Sequence, residues 1–341
     1  MFRRFLAAAA LVVAAAALLV LAWPQLFDLQ RTTLVAQLVS LRGLATTVAV
    51  VGVVVLTLFA MISRPFRRFG SALALLALVF ALINVAVLAT RGVGNPSFPT
   101  KSASDVTVLS WNTLGGAPGS ATIATLALDS GADVVSLPET TRATAEAVAA
   151  RMQAAGRPMA VHTIAFDQVA KARSTSLLIA TRLGDYRIDS GAGSTSRLPT
   201  VVARPTDGSG PTIVAVHAIA PVPDDLARWR ADLAWLASAC AGNNTIMAGD
   251  FNATIDHLVG LGSPSNIATG GTIGNCTDAA VTSKNAALGT WPTALPALFG
   301  APIDHVMVTP EWRVTGMRVV ESLDKAGSDH RPIVVQLEHA G

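Results

Sequence analysis

The sequence predicts an α/β domain of packed sheets flanked by helices, preceded by about three transmembrane helices. Three observations lead there. Long uninterrupted apolar runs are confined to the first 100 of the 341 residues. Beyond them, short β-branched runs alternate with stretches of helical period, as strands alternate with covering helices. Polar residues able to bind metal or phosphate recur at the ends of those runs, where α/β proteins usually place their sites.

The chain is 51% hydrophobic and 14% charged, with a mean hydropathy of +0.50. A soluble domain carries roughly a quarter charged residues, so part of this chain belongs in lipid. Three runs, at residues 5–23, 45–62 and 71–90 (the last broken only by Asn84), are the candidates. Each has the roughly 18–20 residues that cross about 30 Å of hydrocarbon as a helix. A cleaved signal peptide explains the first run less well, because its apolar part is too long and the other two would remain. Arg3 and Arg4 flank the first run, and Arg64, Arg67 and Arg68 separate the second from the third; Arg31, Arg42 and Arg91 lie on the other side. The positive-inside bias therefore places the first five in the cytoplasm and the C-terminal domain outside it. The expected organisation is a multi-pass membrane domain over residues 1–91, a Gly- and Pro-containing linker over 92–104, and one domain over 105–341.

The basic pI of 9.2 belongs to the membrane segment. Eight of the 25 basic residues but one of the 22 acidic ones precede residue 101, which leaves 17 against 21 and a net of −4. A mildly acidic domain is a poor match to nonspecific nucleic-acid binding, which rests on phosphate neutralisation by Lys and Arg.

In the C-terminal domain, strands are expected at 106–111, 133–137, 176–181, 200–203, 212–217, 245–248, 303–308, 314–320 and 332–337. Helices are expected at 121–128, 141–154 and 224–240, and a long surface loop at Gly260–Gly274. No internal repeat is visible. Cys240 and Cys276 are an even pair that suits a disulfide outside the cytoplasm. Equally, Cys240 continues the pattern Leu226, Trp229, Leu233, Leu236 and reads as a small core residue.

Asn112 closes Val-Leu-Ser-Trp-Asn, Glu139 closes Val-Val-Ser-Leu-Pro-Glu, and His217 closes Ile-Val-Ala-Val-His. Asp250 and Asn252 sit in Gly-Asp-Phe-Asn, Asp304 and His305 in Pro-Ile-Asp-His-Val, and Asp329 and His330 in Gly-Ser-Asp-His-Arg-Pro. Any single Asn or Asp at a strand end is commonly a turn former or helix cap. An ordered run of six such ends is not explained that way. His305 should face away from Asp304 on a strand and reads as a bystander, His257 as a surface residue, and His162 as structural.

The ordered set closely resembles the endonuclease/exonuclease/phosphatase superfamily, which includes pancreatic deoxyribonuclease, abasic-site endonucleases, neutral sphingomyelinases and inositol-polyphosphate phosphatases. The resemblance spans residues 105–338 and is carried most strongly by Gly249-Asp250-Phe251-Asn252 and Ser328-Asp329-His330. It implies a four-layer α/β/β/α sandwich and a metal-dependent phosphoester hydrolase. By the same resemblance Glu139 would bind Mg²⁺ (or Mn²⁺), with Asn112 and Asp329 completing or orienting its shell, as suits a hard cation that keeps several waters. Asp250 or His330 would serve as the base, with Asp250 favoured to position and activate the attacking water. His330, oriented by Asp304, would contact the phosphate or move a proton, and Asn252 and His217 would donate to the phosphate oxygens.

Two departures weaken a strict nuclease reading. Pro138 precedes Glu139 where many members carry Gln, and Lys171–Thr181, which aligns loosely with the region where nuclease members place a Tyr or Arg against the phosphate, has no Tyr; the single tyrosine is Tyr186. Arg173 or Ser174–Ser176 are the alternatives there. The expected substrate is a phosphoester of a lipid, a nucleic acid or a small molecule, with no obligate protein partner evident. The rivals are an endonuclease acting on extracellular DNA or RNA, and a catalytically silent binding module held at the membrane.

Overall fold

The computed structural model describes residues 1–94, 97–262 and 270–340. The chain opens with four helices: α1 (Phe2–Ala22), α2 (Val35–Ser40), α3 (Arg42–Ile62) and α4 (Arg67–Arg91). Of these, α1, α3 and α4 are long and apolar enough to cross a membrane, and they coincide with the three apolar runs.

The remainder begins β1 (Val106–Ser110), α5 (Gly119–Asp129), β2 (Val134–Pro138), α6 (Arg142–Ala154), β3 (Met159–Ala165) and β4 (Ser174–Ala180). It continues β5 (Tyr186–Ile188), β6 (Val201–Pro205), β7 (Thr212–His217), α7 (Leu226–Ala239), β8 (Thr245–Asp250) and α8 (Ile255–Leu258). It closes with β9 (Thr272–Ile273), β10 (Cys276–Asp278), α9 (Ala279–Thr282), β11 (Asp304–Val308), β12 (Trp312–Val319) and β13 (Ile333–His339).

Two mixed sheets result, one in the order β12-β13-β1-β2-β4-β3 and the other β5-β6-β7-β8-β11-β10-β9. Side-chain alternation explains how they stack. Val108, Val134, Leu177, Ile179, Ile213, Ala215, Ile246 and Ala248 form the core between the sheets. Their neighbours Leu109, Val135 and Leu178 turn outward beneath Ile123 and Ala127 of α5 and Val148 and Met152 of α6. Val214, Val216 and Met247 turn outward on the second sheet beneath Trp229, Leu233 and Leu236 of α7. Ser136 ties the sheets together by donating from its hydroxyl to the Ala248 carbonyl at 2.7 Å. The layers are therefore helix, sheet, sheet, helix, as expected.

Both readings of the cysteines hold at once. Cys240 and Cys276 form a disulfide across 36 residues, and both are fully buried in the layer beneath α7. Closing a loop of that length stabilises by about 3–4 kcal/mol through the unfolded chain. We therefore expect a Cys240→Ser/Cys276→Ser variant to melt several degrees lower, and reductant to lower the melting point of the parent protein but not of the variant.

Short elements escaped the sequence patterns: β5, β9 and β10 have three residues or fewer, and α8 and α9 have four. The loop expected at Gly260–Gly274 is corrected at its end, where Thr272–Ile273 pairs with β10; residues 263–269 lie outside the described residues.

The largest correction concerns His257, expected on the surface and found fully buried. Its Nδ1 accepts the Thr254 N–H at 2.9 Å, and its Nε2 lies 3.0 Å from the Ala36 carbonyl of α2. The cause is a close seat for the N-terminal helices on the sandwich. Asp256, 4% exposed, receives Arg42 through Nε (2.9 Å) and Nη2 (2.8 Å), Arg91 through Nη2 (2.8 Å) and Gln25 through Nε2 (3.0 Å). Arg42 also donates to Asn84, the polar residue that interrupts the third apolar run, at 2.7 Å. Arg31 donates to the carbonyls of His257 and Val259. Burial alone would raise the Asp256 carboxyl, but the Arg91 and Arg42 guanidinium groups overcome it and hold it far below the usual carboxylate range. Gly43 is needed at this seat, because a Cβ there would sit 1.7 Å from the Leu298 carbonyl oxygen.

Candidate active site

Strand register does most of the assembly. His217 pairs with Asp250 across the parallel β7–β8 ladder, and Asp304 pairs with Asp250 across the antiparallel β8–β11 ladder. Three candidate residues thus stand side by side at one end of the second sheet. Gly249 permits this alignment: its φ is +153°, and a Cβ would lie 2.0 Å from the Val216 carbonyl oxygen.

The first sheet delivers the others to the same end. Asn112 follows β1 and donates from Nδ2 to Asp250 at 3.0 Å and to Glu139 at 3.2 Å. Its Oδ1 accepts the Leu114 N–H at 3.1 Å. Asn112 thus bridges two carboxylates through its amide nitrogen. Ser328 donates to the Asn112 carbonyl at 2.6 Å and accepts the His330 N–H at 3.1 Å, which fixes the final loop against β1. Leu114, Glu139 and Asn252 all have positive φ, at 48°, 55° and 47°. Such strain in residues other than glycine costs energy that the surroundings must repay, and it clusters at functional sites.

His330 Nδ1 is 2.8 Å from Asp304 Oδ2, and Nε2 is 3.8 Å from Asp250 Oδ2. Burial disfavours its charge, but the Asp304 and Asp250 carboxylates outweigh burial and hold the imidazole protonated up to about 10. Burial raises the Asp250 carboxyl, and His330 opposes that rise. Burial also raises Glu139. His217, fully buried near the charged His330, is pushed down to about 3 and is neutral at ordinary pH. Its Nε2 lies 3.9 Å from Glu139 and its Nδ1 3.4 Å from the Thr175 hydroxyl. Asn252 donates from its backbone N–H to Asp250 at 2.8 Å and from Nδ2 to the Ala218 carbonyl at 2.9 Å. Asp329 accepts the Trp291 indole N–H at 3.0 Å.

The donor set fits a hard divalent cation. Asp304 Oδ1 and Asp329 Oδ1 are buried without a hydrogen-bond donor, and an oxygen left so is costly unless a cation or its water meets it. Oxygen and nitrogen atoms of Asp250, Asp304 and His330 also come within 4.8 Å of one another. Within that group His330 Nδ1 is 2.8 Å from Asp304 Oδ2 and Nε2 is 3.8 Å from Asp250 Oδ2. Glu139, with Asp329 nearby, is the freer position, because its side chain is 18% exposed.

All eight candidate residues therefore meet at one end of the sandwich. His305 faces the other way, as expected: its Nδ1 is 2.8 Å from Asp278 and its Nε2 is 2.7 Å from the Ala253 carbonyl. His162 lies on β3, where burial lowers its pKa. Tyr186 is on β5 at the far edge of the second sheet. Sequence reasoning missed Trp291, Thr290 and Arg331. The Thr290 hydroxyl accepts the Ile303 and Asp304 N–H groups, both at 3.1 Å. Arg331, fully buried, donates to the carbonyls of Gly289, Pro292, Thr293 and Leu295 and so shapes the loop that carries Trp291. Only the Asp-His-Arg triplet hinted at Arg331; Thr290 and Trp291 sit in no recognisable pattern.

A family model described as the Endonuclease/Exonuclease/phosphatase family matches residues 109–330. No curated protein matches the sequence. Among solved structures, a D. rerio TDP2 humanized by 14 mutations is 17% identical with a TM-score of 0.53, covering 69% of this chain and 100% of that one. An endonuclease/exonuclease/phosphatase from Bacteroides vulgatus is also 17% identical, with a TM-score of 0.50, covering 70% of this chain and 100% of that one. At that identity the likeness speaks for the fold alone.

Proposed function

The chain belongs to the endonuclease/exonuclease/phosphatase family, and from that premise we propose that it is a membrane-anchored, divalent-metal-dependent phosphoester hydrolase. The carrying observation is the Asp304–His330–Asp250 chain, which strand pairing and one loop bring opposite Glu139.

Glu139 and Asp329 would hold the cation, Mg²⁺ or Mn²⁺, with Asn112 setting the Glu139 carboxylate. When bound, such an ion polarises a phosphate oxygen and stabilises the leaving oxygen. Asp250 is aimed by Asn112 and Asn252, and its raised basicity suits it to orient a water and accept its proton. His330 presents a charged Nε2–H to the phosphate, while Asp304 keeps Nδ1 engaged and the ring aligned. His217, neutral and buried, supplies a hydrogen bond without a competing charge. Asn252 completes the cradle.

Topology is part of the same proposal. Three spanning helices put the sandwich on the side opposite Arg3, Arg4, Arg64, Arg67 and Arg68. The residues that diluted the charge bias, Arg31, Arg42 and Arg91, are engaged with the sandwich. That supports the extracytoplasmic placement.

The test is full-length protein in nanodiscs with bis-p-nitrophenyl phosphate and Mg²⁺, Mn²⁺ or EDTA, with supercoiled DNA in a parallel assay. We expect turnover that EDTA abolishes and added Mg²⁺ restores. Turnover unchanged by EDTA would refute the metal-dependent reading, and cleavage confined to DNA would favour the endonuclease.

A further inference from the structure

Few large apolar side chains remain exposed beyond residue 100. Among the described residues they are Leu114, Phe166, Val169, Val222, Trp291 and Leu298. A scattered handful would need no explanation, but these are not scattered. Leu114 follows Asn112 by two residues and has its N–H bonded to that side chain. Phe166 and Val169 lie on the β3–β4 connection, which enters β4 one residue before Thr175, the neighbour of His217. Val222 is on the connection that leaves β7 after His217. Trp291 bonds Asp329, and Leu298 is on the same β10–β11 connection. All four connections leave the sandwich at the end that carries the candidate site.

That end also meets the helices. The Leu298 carbonyl abuts Gly43 in the first turn of α3, and Gln37 of α2 donates to the Pro221 carbonyl, next to Val222. Asp256, six residues beyond Asp250, is held by Arg42 at the start of α3 and Arg91 at the end of α4. The termini on this side are the points where spanning helices leave hydrocarbon, and Trp23, Leu26, Phe27, Leu34 and Leu38 are exposed between them. Trp and long apolar side chains at such points settle at the lipid–water boundary. Two of the connections, those carrying Val222 and Leu298, thus touch the helices whose ends bear these exposed side chains.

We propose that the mouth of the active site lies against the bilayer that anchors the chain, and that its substrate is a glycerophospholipid of that bilayer. This rests on the hydrolase reading above. In the reaction the water oxygen bonds to phosphorus and one phosphoester bond breaks. The departing alkoxide takes a proton, and the water oxygen remains on the phosphorus. The exposed apolar side chains on these connections let the headgroup reach the carboxylates while the acyl chains stay in lipid.

The test uses full-length protein in vesicles of phosphatidylcholine, phosphatidylethanolamine and phosphatidylglycerol containing doxyl-labelled lipid. A bimane label on Val169→Cys should be quenched, and one on Ser209→Cys, in the β6–β7 turn at the opposite end, should not. The vesicle phospholipids should be hydrolysed with Mg²⁺, and Phe166→Asp/Val169→Asp should lower that rate at least tenfold while bis-p-nitrophenyl phosphate turnover stays within twofold. An unquenched Val169 label overturns the proposal. So does turnover of the soluble ester with the phospholipids intact, which leaves the hydrolase reading standing. No turnover of either ester removes both.

Discussion

Asp250→Asn should lower kcat of the full-length protein by about 10²–10⁴-fold, the range attributed to a positioned acid–base group, with a lower melting point but the fold retained at assay temperature. Asn fills the same space at a fully buried position but loses the negative charge that faces His330 Nε2 at 3.8 Å. It also sets an amide NH₂ against the donors of Asn112 and Asn252, which all aim at Asp250 oxygens. Steady-state kinetics on bis-p-nitrophenyl phosphate with a parallel thermal melt separate chemistry from folding. A folded variant with kcat within threefold of the parent would remove Asp250 from the mechanism.

Asp256→Ala should be the most destabilising single substitution at the junction of helices and sandwich, at about 3–5 kcal/mol, because it strips the counter-charge from buried guanidinium groups. Arg42 and Arg91, 5% and 13% exposed, both close on Asp256 Oδ1 at 2.8 Å. The pH dependence follows from the depressed carboxyl. The stabilisation is complete above the unfolded value of about 3.9 and is lost as pH falls toward the folded one. Asp256→Asn should therefore be less stable than the parent at neutral pH and should lose less on acidification below pH 4. A fragment of residues 101–341 lacks Arg42, Arg91, Gln25 and Ala36, so Asp256→Ala should cost far less there than in the full chain. Denaturant unfolding of the four proteins gives the coupling directly. Equal costs in fragment and full chain would show that the junction does not form.

That junction marks where sequence reasoning stopped. The Gly- and Pro-containing composition of residues 92–104 reads as a linker. Instead, Arg182 and Arg157 bind the fully buried Asp133 together with Lys101, and Phe98 packs on Arg318 at 5.5 Å. An Arg at a helix end reads as a membrane flank, and an Asp-His pair after a metal-type motif reads as a loop. Nothing in the spacing says that residues 165 and 214 positions apart will pair. Trp291 escaped for the same reason: its partner Asp329 is 38 residues away, across a loop that Arg331 shapes.

What lay open in the sequence was local or periodic. Apolar runs of spanning length marked α1, α3 and α4, because backbone groups in hydrocarbon must satisfy themselves within a helix. Short β-branched runs marked β1 and β7 as strands, and the structure then turned Val108 and Leu109, or Ala215 and Val216, to opposite faces. Strand ends named the polar residues now found together, because a side chain at the last register position escapes the core yet stays beside its neighbours. The tertiary structure alone decided which of Asn112's atoms faces the carboxylates, that His257 is covered, and that the site shares its face with the helix ends. Each of these depends on contacts between segments far apart in the chain, where energy comes from complementary burial and charge pairing rather than from any local preference.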